Sequence, residues 1–115
     1  MDGTAELDFG ASGALGYAHR VPGPGGLTFV AFNPLTGSRA MWEAAVAPRL
    51  RAAGHGTLLF DYRGQPASRL APGADLSAEA IVADARALLA HVRPVRPVYL
   101  GHSIGGWFAL RLQLS

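Results

Sequence analysis

A serine stands between glycines near the end of the 115-residue chain, in segment 101–106, which reads Gly-His-Ser-Ile-Gly-Gly. The pattern Gly-x-Ser-x-Gly permits a sharp turn from a strand into a helix, because Gly101 and Gly105 have no side chains to collide with neighbouring backbone. Such a turn would place the Ser103 hydroxyl at a helix N-terminus, where N–H groups favour negative charge. The N–H of Ile104 would then donate to the oxyanion that forms when a serine attacks a carbonyl. The segment therefore predicts nucleophilic chemistry at Ser103, provided that a strand precedes it and a helix follows.

A serine nucleophile needs a general base, and the sequence contains four histidines. His102 is adjacent to the serine and is a poor candidate, because neighbouring side chains at a turn point apart. We expect structural or solvated roles for the other three, which are His19, His55 and His91. Asp61 follows a buried strand, at the edge where sites form in parallel sheets. We expect it to brace its loop through Arg63 and nearby backbone N–H groups.

The serine turn requires a strand before it and a helix after it, and the sequence predicts both. Pro97–Leu100 is a short apolar run that favours a buried strand. Gly106–Leu114 has Trp107 and Leu110 on one side at helical spacing, and favours a helix.

Strands and helices alternate along the rest of the chain. The other predicted strands are Thr4–Phe9, Ala14–Val21, Leu27–Phe32 and Thr57–Phe60. Two other helices are predicted, and they begin at the caps Ser38 and Ser77. The first of them has Pro48 in its interior, which predicts a kink or a break. Residues 61–72 read as a polar loop. This order predicts an α/β fold with a mostly parallel sheet and helices on both faces, in one domain that covers residues 1–115.

Composition and charge exclude several classes of protein. The chain has no cysteine, so it has neither a disulfide framework nor a thiolate metal site, and we expect no metal and no cofactor. Its ten basic residues are all arginine and are scattered among eight acidic residues, unlike the clustered basic face of a nucleic-acid binder. No apolar run approaches the roughly 18 residues of a membrane span. Residues 1–6 lack the basic and apolar regions of a signal peptide, so we expect a cytoplasmic location.

Three segments together make the chain resemble the N-terminal half of an alpha/beta hydrolase. Segment 101–106 is similar to that family's nucleophile elbow, the strand–turn–helix that presents the reactive serine. Segment 61–68, Asp-Tyr-Arg-Gly-Gln-Pro-Ala-Ser, resembles the family's D-x-R-G-x-G-x-S loop, with Pro66 in place of a glycine. Segment 32–35, Phe-Asn-Pro-Leu, stands where members commonly have His-Gly. The resemblance covers nearly the whole chain and corresponds to strands one to five of the family's fold.

The resemblance implies a hydrolase that cleaves a small-molecule carboxylic ester or related acyl substrate through an acyl-enzyme intermediate. Ser103 would be the nucleophile, Gly101 and Gly105 the elbow glycines, and the N–H groups of Leu35 and Ile104 the oxyanion hole. The acid and the histidine of the family's triad would lie beyond residue 115, because the triad runs in the order Ser, Asp or Glu, His. Epoxide hydrolases and haloalkane dehalogenases are disfavoured, because they resemble this pattern with an aspartate in place of the serine.

Two other functions remain open on the sequence. The chain could be a non-catalytic remnant, or a half-domain that needs a partner to complete its sheet. Val98–Leu100 would then be an exposed apolar edge through which the chain could self-associate. A nucleotide-binding α/β domain is the weaker alternative, because neither a G-x-G-x-x-G nor a G-x-x-x-x-G-K-[ST] segment is present.

Overall fold

The computed structural model describes residues 3–114; Ser115 and the first two residues of the N-terminal segment lie outside the described residues. The strands are β1 (Gly3–Asp8), β2 (Gly13–Arg20), β3 (Thr28–Phe32), β4 (Gly56–Phe60), β5 (Arg69–Leu70) and β6 (Pro97–Gly101). The helices are α1 (Ala40–Ala45), α2 (Ala47–Ala52), α3 (Ala78–Val92) and α4 (Ile104–Gln113). A short 3-10 turn, Gly10–Ser12, joins β1 to β2. Within residues 3–114, no helix is long and apolar enough to cross a membrane.

The six strands form one mixed sheet whose long strands lie in the order β1-β2-β4-β3-β6. β3 is parallel to both of its neighbours, β4 and β6. β2 is antiparallel to β1 and to β4, so the predicted hairpin supplies the antiparallel part of the sheet. The α/β fold is confirmed. The two-residue β5, which pairs with β2, was not expected, because it lies within the segment predicted as a loop.

Helices cover both faces of the sheet, as predicted. Successive side chains of a strand point to opposite faces, so each face has apolar side chains that a helix can bury. On one face the strands pack against α3 and α4, and the buried side chains there include Val30, Phe32, Leu58, Phe60, Ile81, Leu88 and Phe108. On the other face a smaller cluster packs against α1 and α2 and consists of Ala31, Trp42, Ala47 and Leu59.

Local sequence explains where these helices begin. The first predicted helix is divided into α1 and α2, with Pro48 in the first turn of α2, where its missing N–H has no cost. Ser77 caps α3, and its Oγ accepts a hydrogen bond from the N–H of Ala80 at 3.2 Å. Ser38 directly precedes the helical backbone of α1, and its Oγ accepts a hydrogen bond from the N–H of Ala40 at 3.3 Å, so the predicted capping contact is present. Arg39 occupies the cap position, where its backbone is already helical.

The three motif segments meet at one edge of the sheet. The parallel strands β3, β4 and β6 end at Phe32, Phe60 and Gly101, and each is followed by one of these segments. Because parallel strands end at the same edge, the segments after them lie side by side, where sites form in sheets of this kind.

Candidate active site

The chain turns sharply between β6 and α4, and Ser103 lies in that turn. β6 ends at Gly101 and α4 begins at Ile104, so only His102 and Ser103 join the strand to the helix. Ser103 has φ 58° and ψ −126°, a conformation that residues with a side chain rarely adopt. Such conformations cost about 1–3 kcal/mol and persist only where the surrounding structure imposes them. The strand, turn and helix predicted around the serine are all present.

Two glycines allow this turn to close. A Cβ on Gly101 would collide with the backbone of Gly106, and a Cβ on Gly105 would collide with the carbonyl of Phe32 in β3. By contrast, a Cβ on Gly106 would meet nothing within 4 Å. The two glycines of the Gly-x-Ser-x-Gly pattern are therefore required by close backbone approach, and the third is not.

The N–H groups of Gly105 and Gly106 in the first turn of α4 close the elbow. The Gly105 N–H donates to the His102 carbonyl at 3.0 Å, and the Gly106 N–H donates to the Ser103 carbonyl at 2.9 Å. The N–H of Ile104, the first residue of the helix, donates to no acceptor within residues 3–114. Ser103 itself is exposed. An exposed hydroxyl is thus followed directly by a helix N–H that is available to an oxyanion.

The segment that follows β3 lies beside this elbow. Phe32 of β3 is paired with Gly101 of β6, and the N–H of His102 donates to the Phe32 carbonyl at 3.1 Å. The chain then turns, with the N–H of Gly37 donating to the carbonyl of Pro34 at 3.2 Å. Leu35 lies in this turn and is 54% exposed. The second predicted oxyanion donor is therefore on a surface loop next to the elbow.

Buried polar side chains support this loop, and we call them the Asn33–Gln65 cluster (Asn33, Trp42, Tyr62 and Gln65). The Asn33 Nδ2 donates to the Phe60 carbonyl at 2.7 Å and to the Gln65 Oε1 at 3.0 Å, while its Oδ1 accepts from the Trp42 Nε1 at 2.8 Å. The Tyr62 hydroxyl donates to the Asn33 carbonyl at 2.7 Å. Burial raises the pKa of Tyr62, so this hydroxyl stays protonated. Asn33 is completely buried with its polar atoms paired, as stable burial requires.

Asp61 braces its loop through backbone groups, as predicted, but not through Arg63. Its Oδ1 accepts from the N–H of Arg39 and its Oδ2 from the N–H of Ala67, both at 2.7 Å. Arg63 pairs instead with Asp84 of α3 through two hydrogen bonds of 2.7 Å, and these bonds raise the pKa of the guanidinium. The prediction was wrong on this partner because Asp84 comes close to Arg63 only when α3 packs on the sheet.

Two histidines have contacts that explain them without catalysis, as expected. The His55 Nδ1 accepts from the N–H of Leu27 at 3.0 Å, which ties the end of α2 to the start of β3. His91, at the end of α3, packs edge-on against the ring of Tyr17. None of these contacts involves Ser103.

An open groove of about 280 Å³ lies against the loop that contains Leu35. Its apolar lining comes from Leu35, Leu76 and Ile81, and its polar lining from residues 62–65. Leu35 and Leu76 are more than half exposed. Within residues 3–114, no three His, Asp or Glu side chains are grouped so that they could hold a metal ion.

Sequence reasoning assigned no role to Asn33 and Gln65 beyond their places in two motif segments. One signal was available for Asn33, because a polar residue that directly follows a buried strand must find partners at the sheet edge. No comparable signal marks Gln65, because its contacts with Asn33 and Pro34 join it to residues 32 and 31 positions earlier in the chain.

Comparison with known proteins identifies the family. Residues 28–114 match the model of the alpha/beta hydrolase fold, so the chain belongs to the alpha/beta-hydrolase family. Among solved structures it is similar to a probable hydrolytic enzyme from Pseudomonas aeruginosa PAO1, with TM-score 0.78 and 26% identity over 98% of this chain and 37% of that one. It is also similar to a hydrolase from Pseudomonas aeruginosa PA01, with TM-score 0.72 and 24% identity over 91% and 38%.

A third similar structure is epoxide hydrolase A from Mycobacterium thermoresistibile, with TM-score 0.75 and 19% identity over 97% of this chain and 34% of that one. At this identity the likeness concerns the fold. The chain spans less than half the length of each of these structures. The predicted resemblance to part of an alpha/beta hydrolase is confirmed.

Proposed function

We propose that the chain supplies the nucleophile and the oxyanion hole of a serine hydrolase that cleaves a carboxylic ester or a related acyl compound. The main support is the backbone of Ser103, which has φ 58° at a strand-to-helix turn bounded by two glycines that admit no Cβ. The Ser103 side chain is exposed at this turn, and a nucleophile needs that exposure.

The proposed reaction proceeds in two halves. The Ser103 Oγ attacks the acyl carbon, and its proton passes to a general base and then to the leaving oxygen as the bond to the alcohol breaks. Water next adds to the acyl carbon as the base takes its proton, and the base returns that proton to the Ser103 Oγ as the acyl–serine bond breaks and the acid is released. In each tetrahedral intermediate the N–H groups of Ile104 and Leu35 would donate to the oxyanion.

A serine nucleophile favours acyl substrates over epoxides. Attack on an acyl carbon gives an ester, which water can hydrolyse through a second tetrahedral intermediate. Attack on an epoxide would instead leave a serine ether, with no carbonyl at which water could add. The groove beside Leu35, lined in part by Leu76 and Ile81, has room for a small apolar group of such a substrate.

Intact mass after treatment with a fluorophosphonate probe tests this function, because the probe phosphorylates only activated serines. Because the triad histidine is expected beyond residue 115, imidazole is added as the general base, and we expect one adduct per chain that is lost in Ser103→Ala. The matched control is Ser12→Ala, which removes another exposed serine and should leave the adduct in place. Persistence of the adduct in Ser103→Ala, or its absence from the unmodified chain, would contradict the proposal.

The second candidate is a half-domain that a partner completes, and the edge of the sheet supports it. Within residues 3–114, β6 has a neighbour on one side only. Trp107 and Leu110 of the adjacent α4 are 46% and 57% exposed, which is high for large apolar side chains. Sedimentation measurements distinguish the candidates when combined with the probe. Self-association without an adduct favours the half-domain, whereas a monomer that forms the adduct favours the hydrolase.

A further inference from the structure

Gln65 makes hydrogen bonds with both ends of its side-chain amide. Its Oε1 accepts from the N–H of Tyr62 at 2.9 Å and from the Asn33 Nδ2 at 3.0 Å. Its Nε2 donates to the carbonyls of Pro34 at 3.1 Å and Leu35 at 3.3 Å. Gln65 is only 8% exposed, so these contacts are made largely out of solvent. The two donors and two acceptors around it fix which end of the amide is which.

The two carbonyls that Gln65 holds determine where the neighbouring N–H groups point. In a trans peptide the carbonyl and the N–H lie on opposite sides, and the described residues contain no cis peptide. The Pro34 carbonyl shares its peptide plane with the Leu35 N–H, so that N–H points away from Gln65. Pro34 has no N–H of its own, which makes Leu35 the first residue after Asn33 that can donate.

We propose that Gln65 is a positioning residue that orients the Leu35 N–H toward the elbow as the second oxyanion donor. The inference rests on the proposed function of Ser103. It also explains how Asn-Pro can stand where family members commonly have His-Gly. The loop is too exposed at Leu35 to be fixed by apolar packing, and the amide of Gln65 fixes its peptide planes instead.

The chemistry of the contact requires an amide. A carboxylate of the same shape would still accept from Tyr62 and Asn33, but its second oxygen would repel the carbonyls of Pro34 and Leu35. Gln65→Glu therefore removes the donor half of the contact and keeps the acceptor half. The matched control is Gln113→Glu, the same change at an exposed position at the end of α4.

Two measurements on Gln65→Glu test the proposal. The backbone amide resonance of Leu35 should shift, and the shift should diminish as the introduced carboxyl is protonated at low pH and regains a donor. The rate of fluorophosphonate labelling should fall about 100-fold, as expected when one oxyanion donor is lost. Gln113→Glu should change neither. A Leu35 resonance that behaves alike in the two variants, or an unchanged labelling rate, overturns the proposal.

Two further observations separate the possible failures. If the unmodified chain forms no adduct but the Leu35 resonance responds as expected, the proposed hydrolase function fails while the orientation by Gln65 holds. If Gln65→Glu does not fold, the unmodified chain still provides a test. Nuclear Overhauser contacts from the Gln65 side-chain amide protons to the α-protons of Pro34 and Leu35 are expected, and their absence contradicts the proposed contact.

Discussion

Two turns at the same edge of the sheet are held in place by opposite means. The elbow after β6 closes because Gly101 and Gly105 lack side chains, so backbone lies directly on backbone. The loop after β4 is held because the side chains of Asp61 and Gln65 bond to main-chain groups, both within the loop and in the segment after β3. The elbow is thus held by close backbone packing at its glycines, and the loop after β4 is held by hydrogen bonds of its side chains.

Because of this difference, the elbow and the loop after β4 should tolerate different substitutions. A steric fit fails abruptly, because an added methyl group in contact with backbone has nowhere to move. A polar contact fails by degrees, because the cost depends on how many buried groups lose their partner and whether water can replace it. The elbow should therefore be intolerant of any added atom, and the loop should respond in proportion to burial.

The largest expected effect comes from adding one methyl group to the elbow. Gly105→Ala should lower the free energy of unfolding by about 3–5 kcal/mol, because its Cβ would collide with the Phe32 carbonyl. Gly106→Ala should be neutral or stabilise by up to about 1 kcal/mol, because its Cβ meets open space and alanine favours a helix. Urea denaturation followed by circular dichroism measures both. Equal losses in the two variants would show that the elbow is not held by close approach.

An intermediate effect is expected from Asp61→Asn. The amide keeps one oxygen acceptor but places an N–H₂ against the second buried N–H donor, so we expect a loss of about 2–3 kcal/mol. Asp75→Asn makes the same change where both oxygens accept hydrogen bonds from Ser77 at an exposed site. Its loss, measured by the same denaturation experiment, should be much smaller, because water can replace those bonds. Similar losses at the two positions would remove burial as the explanation.

The smallest effect is expected from Tyr62→Phe, and it depends on pH. Below pH 10 the substitution should cost about 1–2 kcal/mol, because the Asn33 carbonyl loses its donor. Burial raises the pKa of Tyr62 above that of an unfolded tyrosine, which is about 10. The unfolded state therefore releases this proton first, and the unmodified chain should lose stability above pH 10 by up to about 1.4 kcal/mol per pH unit.

The Tyr62→Phe chain lacks this ionisable group, so its deficit should shrink as the pH rises from 10 to 11. Tyr99→Phe is the comparison: burial also raises the pKa of Tyr99, but this side chain is only partly buried on the edge strand β6, so its stability difference should change less over this range. A deficit for Tyr62→Phe that stays constant over this range would contradict the assigned pKa direction.

The same difference explains how much the sequence could predict. The elbow was predictable because its parts are consecutive: an apolar strand, two small residues around a serine, and a helical run. The Arg63–Asp84 pair and the contacts of Gln65 join segments that are adjacent only after folding. Sequence pattern identified Asp61 as a brace and predicted both Arg63 and backbone N–H groups as its partners, of which the structure shows the backbone groups. The two residues of β5 were missed since they are too short to show a period.

The backbone of Ser103 links reactivity to folding. Its φ is 58°, and it lies directly before the point where Gly105 of α4 packs against the end of β3. Once that packing is released, the serine relaxes to an ordinary conformation and its hydroxyl becomes like that of any serine in water. A nascent or denatured chain would therefore hold no activated nucleophile, and the proposed chemistry would begin only after the helix has docked. Folding would therefore control when the proposed nucleophile at Ser103 becomes reactive.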